Sequence, residues 1–151
     1  MTKVTIQSLP DHDYTLLIDD GRHALVADEA EDAGGDDLGP GPYALLLASL
    51  GACTAMTLFM YARRREWALY EVAVSLSHEK VFARDCEYCT QEEIDAAGPE
   101  GRIDVIQCEI SVRGELAEAE TARLLEISER CPVHRTLMTA PKIVSSIVAG
   151  R

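Results

Sequence analysis

The sequence predicts an α+β protein, with antiparallel strands packed around one long buried helix. Three observations lead there. Short segments near the N-terminus alternate apolar and polar residues, as half-buried strands do. A run of twenty uncharged residues, Tyr43 to Ala62, follows and reads as a helix. Beyond it come two further alternating segments and an amphipathic stretch, giving the order β-β-β-α-β-β-α-α-β.

The elements follow in chain order. Val4 and Ile6 alternate with polar neighbours, and Pro10–Asp13 is a turn. Tyr14–Ile18 and Arg22–Ala27 are two strands joined at Asp19-Asp20-Gly21, a hairpin signal. Asp28 to Pro42 is an acidic Gly/Pro-rich loop without periodicity. Pro42 suits the first turn of the helix, where a missing N–H costs nothing. The helix is predicted to run to about Glu66, with Gly51 as a possible kink. Glu71–Val81 and Ile106–Val112 alternate as strands, the second ending near Gly114. A long polar excursion joins them. Glu115–Arg130 carries an apolar stripe, Cys131-Pro132 opens a short helix, and Lys142–Val148 is a last strand.

Composition bounds the function. At 151 residues, 47% hydrophobic and 26% charged, the chain predicts a single domain over residues 1–151 with a real core. A net charge of −12 speaks against nucleic acid and anionic membranes, which both need a basic surface. Met1–Asp13 holds no apolar signal segment, and five cysteines is an odd number for a secreted disulfide framework. The expectation is a cytoplasmic protein in which any disulfide is transient and catalytic.

The run Tyr43–Ala62 is long enough to cross a bilayer, and Arg63–Arg65 would flank it. Ser49, Gly51, Cys53, Thr54 and Thr57 within the run, and amphipathic strands on both sides, favour a water-soluble core instead. A helix apolar all round is buried all round. A chain of this size cannot sheathe it alone, so the expectation is an obligate dimer.

Five thiols carry the possible chemistry. Cys53 reads either as a small core hydrophobe or as a reactive thiol, which needs a positive charge or a helix N-terminus nearby. Between Lys3 and Arg63 the one basic residue besides His12 and His23 is Arg22, set among acids at the hairpin. Cys131 falls at the N-cap of the short helix, where free N–H groups favour a thiolate; His134 and Arg135 follow. Its other reading is a cap or packing residue. Cys86 and Cys89 form a lone CxxC, a weak zinc signal even with His78 upstream and Cys108 on the next strand. No thioredoxin-like βαβ surrounds the pair. Cys108 lies on an apolar strand face and reads as core.

Together these stretches resemble the osmotically inducible protein C/organic hydroperoxide resistance (OsmC/Ohr) family. The resemblance rests on GGDDLGPGPYALLLASLGACTAMTL around Cys53, RCPVHRTL around Cys131, and GRHALVADE before them. It implies an OsmC-like fold: an intertwined homodimer with two active sites at the subunit interface. It also implies thiol peroxidase chemistry without a cofactor. Cys53 would attack a hydroperoxide and become a sulfenic acid, Cys131 would resolve it as a disulfide, and an external dithiol would reduce that bond. Arg22 would stabilise the Cys53 thiolate. Tyr43, Leu50 and Met56 would help bind an organic hydroperoxide, together with Leu46 and Met60. The family places a glutamate just after the proline at the helix start, to hold the arginine; here that position is Tyr43. Glu29 or Glu31 could substitute. The competing reading is a dimer of this fold that binds a small ligand, or zinc through Cys86, Cys89 and His78.

Overall fold

The N-terminal alternation folds into three antiparallel strands in the order β1-β2-β3: β1 (Thr5–Ser8), β2 (Leu16–Asp19) and β3 (Ala24–Ala27). The Asp-Asp-Gly signal makes the β2–β3 turn. Gly21 takes φ +87°, and the Asp20 carboxylate accepts the Arg22 and His23 N–H groups at 2.8 and 2.7 Å. Those bonds, the His23 one first, hold the Asp20 carboxyl below its ordinary range.

The computed structural model describes residues 1–98 and 100–148. The chain forms two compact units, one of Met1–Ala48 with Lys80–Asp104, the other of Ser49–Glu79 with Val105 onward. In the first unit the acidic loop is built around Asp28, which is buried. Its carboxylate accepts the Thr15 hydroxyl at 3.0 Å and the Glu29 and Leu38 N–H groups at 2.8 and 3.2 Å. Burial would raise this acid, but the Glu29, Leu38, Thr15 and Asp36 hydrogen bonds outweigh it and leave it below the usual carboxylate range. A 3-10 turn, Glu31–Ala33, interrupts a loop that the sequence leaves irregular.

Helix α1 (Pro42–Arg64) begins at the predicted proline. Gly51 does not break it. A Cβ there would stand 2.8 Å from the Leu76 Cδ1, so the glycine permits a close approach of helix and strand. The helix is long and apolar enough to span a membrane by length and composition. Within one chain it is buried along a single stripe, Leu50, Thr54, Leu58 and Ala62, rather than all round. Met56 and Met60 stay 64% and 58% exposed on the other side. The expectation of complete burial is therefore corrected for the single chain.

Strands β4 (Ala68–Phe82) and β5 (Arg102–Glu115) are longer than predicted and pair as a two-stranded ribbon. In the second unit, α3 (Glu118–Ser128) closes the core, with Leu58, Leu124 and Ile127 at its centre and Tyr61, Trp67, Leu69 and Ile110 around them. Tyr61 stands edge-on to Trp67, its hydroxyl accepting from Arg123 Nε at 3.3 Å. The polar excursion, in the first unit, is ordered: a 3-10 turn (Ala83–Asp85) and then α2 (Gln91–Ala97). The short helix α4 (Pro132–Met138) ends the regular structure.

Two expectations fail. Lys142–Val148 forms no strand; it has strand composition but no ladder with any described residue, and Ile143, Val144, Ile147 and Val148 are 84–98% exposed. Cys108 is not core but exposed. Alternation along β5 names a face of the strand, and at this position the described residues leave that face exposed.

Candidate active site

Helix α1 places Tyr43, Leu46, Leu50 and Cys53 on one stripe by their spacing. The Cys53 carbonyl accepts the Thr57 hydroxyl at 2.7 Å. Cys131 is held by two chain-level contacts. Its N–H donates to the Ser128 carbonyl at 3.2 Å, at the end of α3, and its carbonyl accepts from Arg135 N–H at 3.0 Å. Cys131 is thus the N-cap of α4, with Pro132 as the first helical residue. Proline lacks an N–H, so Val133 and His134 supply the free backbone donors of the first turn.

Those donors converge on sulfur. The Cys53 and Cys131 thiols, both free, hydrogen bond to each other although 78 positions separate them. Val133 N–H reaches both sulfurs, and His134 N–H and the Thr54 hydroxyl reach Cys131. His134 thus acts through its backbone.

The two thiols are not equivalent. Burial would raise Cys131, but hydrogen bonds from Cys53, His134, Thr54 and Val133 outweigh it, and its pKa lies below the ordinary thiol value. Burial raises Cys53, and donating its proton toward Cys131 raises it further. The Thr57 hydroxyl lies beside the Cys53 sulfur, but its one proton goes to the carbonyl, so it helps little there. The two thiols therefore lie within hydrogen-bonding reach, with Cys131 the more acidic of the pair. Exposure runs the other way. Cys131 is 0% exposed, while Cys53 is half-buried.

The remaining predicted residues divide as follows. Leu50 is buried beside Gly51; Met56 is exposed and lines an open groove with Phe59, Met60, Arg63 and Arg64. Tyr43, half-exposed, belongs to the first unit, as does Arg22 on the β2–β3 turn. Cys86 and Cys89 are joined as a disulfide, which leaves no thiolate pair for zinc. Among the described residues no group of three or more His, Cys, Asp or Glu side chains is placed to hold a metal. Thr54 was not anticipated. Its signal is a hydroxyl directly next to Cys53 in an uncharged run.

Residues 34–146 match the family model described as OsmC-like protein. No curated protein sequence matches the chain. Among solved structures, the chain is similar to the OsmC like protein from Mycoplasma pneumoniae (TM-score 0.69, 18% identity, covering 93% of this chain and 89% of that one). It is also similar to an organic hydroperoxide resistance protein OsmC from Legionella pneumophila (TM-score 0.61, 18% identity, 91% and 88%). A third is the organic hydroperoxide resistance protein OhrB of Bacillus subtilis (TM-score 0.53, 18% identity, 93% and 92%). At these identities the likeness to solved structures is one of fold.

Proposed function

The chain belongs to the OsmC-like protein family, and from that premise we propose that it is a thiol-dependent peroxidase acting on organic hydroperoxides and on hydrogen peroxide. The observation that carries the reading is the hydrogen-bonded Cys53–Cys131 pair, one sulfur open and the other buried. The Legionella and Bacillus relatives of the same fold are named for organic hydroperoxide resistance.

The pair suits such a cycle. Cys131 accepts the Cys53 proton, and the Cys53 thiolate attacks the terminal peroxide oxygen. The O–O bond breaks, Cys53 becomes a sulfenic acid, and the departing alkoxide takes the proton back from Cys131 as an alcohol. Cys131, again a thiolate, then displaces hydroxide from the Cys53 sulfenic acid and closes the disulfide. Two thiols of an external dithiol restore it by exchange. Arg22 is assigned as the guanidinium that steadies the Cys53 thiolate. Tyr43, Leu50 and Met56 are assigned to the organic tail of the substrate, since an apolar lining favours an apolar ligand.

A homodimer is part of the same reading. The bare side of α1 and the apolar segment Ile143–Val148 form more exposed apolar surface than a soluble monomer commonly carries. A second copy would cover them. Light scattering is expected to give twice the 16.5 kDa chain mass, and a monomer mass would remove this part of the reading. A cytoplasmic location, where an external dithiol is available as reductant, is part of the same proposal.

The test is turnover of cumene hydroperoxide with dithiothreitol as reductant. Wild type is expected to turn over, and Cys53→Ser to lose it. Cys131→Ser is expected to stop after one turnover with a sulfenic acid that dimedone traps. Normal turnover by Cys53→Ser would overturn the assignment.

A further inference from the structure

We propose that Cys86–Cys89 is a second thiol–disulfide exchange centre, selective for dithiols that carry no negative charge beyond the attacking thiolate. This goes beyond the peroxidase reading and does not depend on it.

The excursion between β4 and β5 is constructed around this pair. Ala83 N–H donates to the Gly101 carbonyl at 2.9 Å and closes the base of the excursion. Cys86 ends the 3-10 turn, its N–H on the Ala83 carbonyl at 3.3 Å. Cys89 directly precedes Thr90, the cap of α2, which exchanges hydrogen bonds with Glu93 in a complete capping box. A rigid turn stands before the pair and a capped helix after it. The Cα atoms of the two cysteines are held 5.5 Å apart, within disulfide range.

As a clamp, this bond does little. It closes a loop of four residues, and a cross-link over so short a span constrains the unfolded chain less than a longer one. The hydrogen bonds just described already fix the same segment. A CxxC ring is instead readily opened and reclosed by exchange, because the second thiol stays beside the first when the bond is cut.

Access is asymmetric. Cys86 is buried and Cys89 half-buried, with Tyr88 between them 70% exposed. An incoming thiolate therefore attacks the Cys89 sulfur. That forms a mixed disulfide on Cys89 and releases Cys86 as a thiolate, which takes up a proton. The second thiol of the incoming dithiol then displaces Cys89, leaving two protein thiols and an oxidised dithiol.

Charge selects the partner. Asp85, Glu87, Glu92, Glu93 and Asp95 lie within residues 85–95, which hold no basic side chain. Arg84 just before them is engaged by Asp85 and Glu100 at 3.6 and 3.7 Å. Every attacking thiolate carries one negative charge; a further anionic group on the partner is repelled by this field, whereas an ammonium group offsets the repulsion.

The test uses the full chain with Cys53, Cys108 and Cys131 changed to serine, so that the other thiols cannot contribute; peptide mapping of the wild-type chain repeats the measurement without substitutions. Reduction is followed by alkylation and mass spectrometry with cysteamine, 2-mercaptoethanol and mercaptoethanesulfonate. Per thiolate, cysteamine is expected to open the bond about tenfold faster than mercaptoethanesulfonate at low salt, the gap closing near about 0.5 M salt. Dithiothreitol is expected to reduce the folded protein, and oxidised dithiothreitol to reclose it. Cys86→Ser is expected to hold a stable mixed disulfide on Cys89, and Cys89→Ser to react slowly at the buried Cys86. A bond that opens only when the chain unfolds would overturn the proposal. Equal rates for the three thiols, or a reduced pair isolated with stoichiometric zinc, would do the same.

Discussion

The Cys53 and Cys131 thiols, seventy-eight positions apart in the chain, lie within hydrogen-bonding reach of each other. They titrate as a unit, with the lower macroscopic pKa below that of an ordinary thiol.

That relationship sets the pH dependence. The first deprotonation of the pair creates the base that Cys53 needs, and it is favoured by the hydrogen bonds on Cys131. The second-order rate with peroxide is expected to rise with pH through an inflection below the ordinary thiol value. In Cys131→Ser, burial still opposes the Cys53 thiolate and the base is gone, so the single-turnover rate is expected to rise only at higher pH. Stopped-flow oxidation of both proteins across pH is the measurement. Superimposable profiles would mean that Cys131 takes no proton from Cys53.

Thr54 is 2% exposed, and its hydroxyl serves the Cys131 sulfur. One hydrogen bond to a charged group is worth ~1.5 kcal/mol, close to a factor of ten. Thr54→Val is expected to slow peroxide reduction about tenfold and to move the pH profile upward. Thr54→Ser restores both. A rate loss without a shifted profile would indicate altered packing alone.

Gly51 faces the Leu76 methyl, and two effects compete there. Alanine gains about 1 kcal/mol of helix propensity but crowds a side-chain end that can move, at about 1 kcal/mol. Gly51→Ala is therefore expected to be close to neutral in urea unfolding. Gly51→Val adds bulk that Leu76 cannot yield to, and about 2 kcal/mol of lost stability is expected.

How much of this was legible in the sequence depends on what each pattern reports. The uncharged run and its proline located α1, because twenty uncharged residues have few other uses. Pro132 after Cys131 located the second sulfur at a helix start, for the same stereochemical reason that the structure shows. Helix α2 was missed since its seven residues carry no apolar stripe; the Thr90–Glu93 capping pair was its one local mark. Lys142–Val148 is rich in β-branched residues, as strands are, but composition reports a preference and cannot supply a neighbour to pair with. Cys108 failed in the same way. The meeting of Cys53 with Cys131 is a tertiary fact, carried in the sequence by likeness to a family and not by any local rule.

Asp28 gives a stability prediction for the first unit. Its folded carboxyl lies below the ordinary value of about 3.9. A depressed acid stabilises the fold above its unfolded pKa, and that contribution fades as pH falls through the folded one. Thermal midpoints of the wild type are expected to drop as pH goes below about 4. Asp28→Asn is expected to melt several degrees lower at neutral pH, because Thr15, Glu29 and Leu38 lose a charged acceptor. Its midpoint then falls less on acidification. Parallel curves for the two proteins would place the acid sensitivity elsewhere.

The complete enclosure of Cys131 has a kinetic corollary. Once the Cys53–Cys131 bond forms, a reducing thiol can strike only the Cys53 end, through the doorway that admitted the peroxide. Oxidant and reductant must then take turns in one space, and an excess of either will obstruct the other. Steady-state plots should show parallel lines at low concentrations and inhibition by both reactants at high ones.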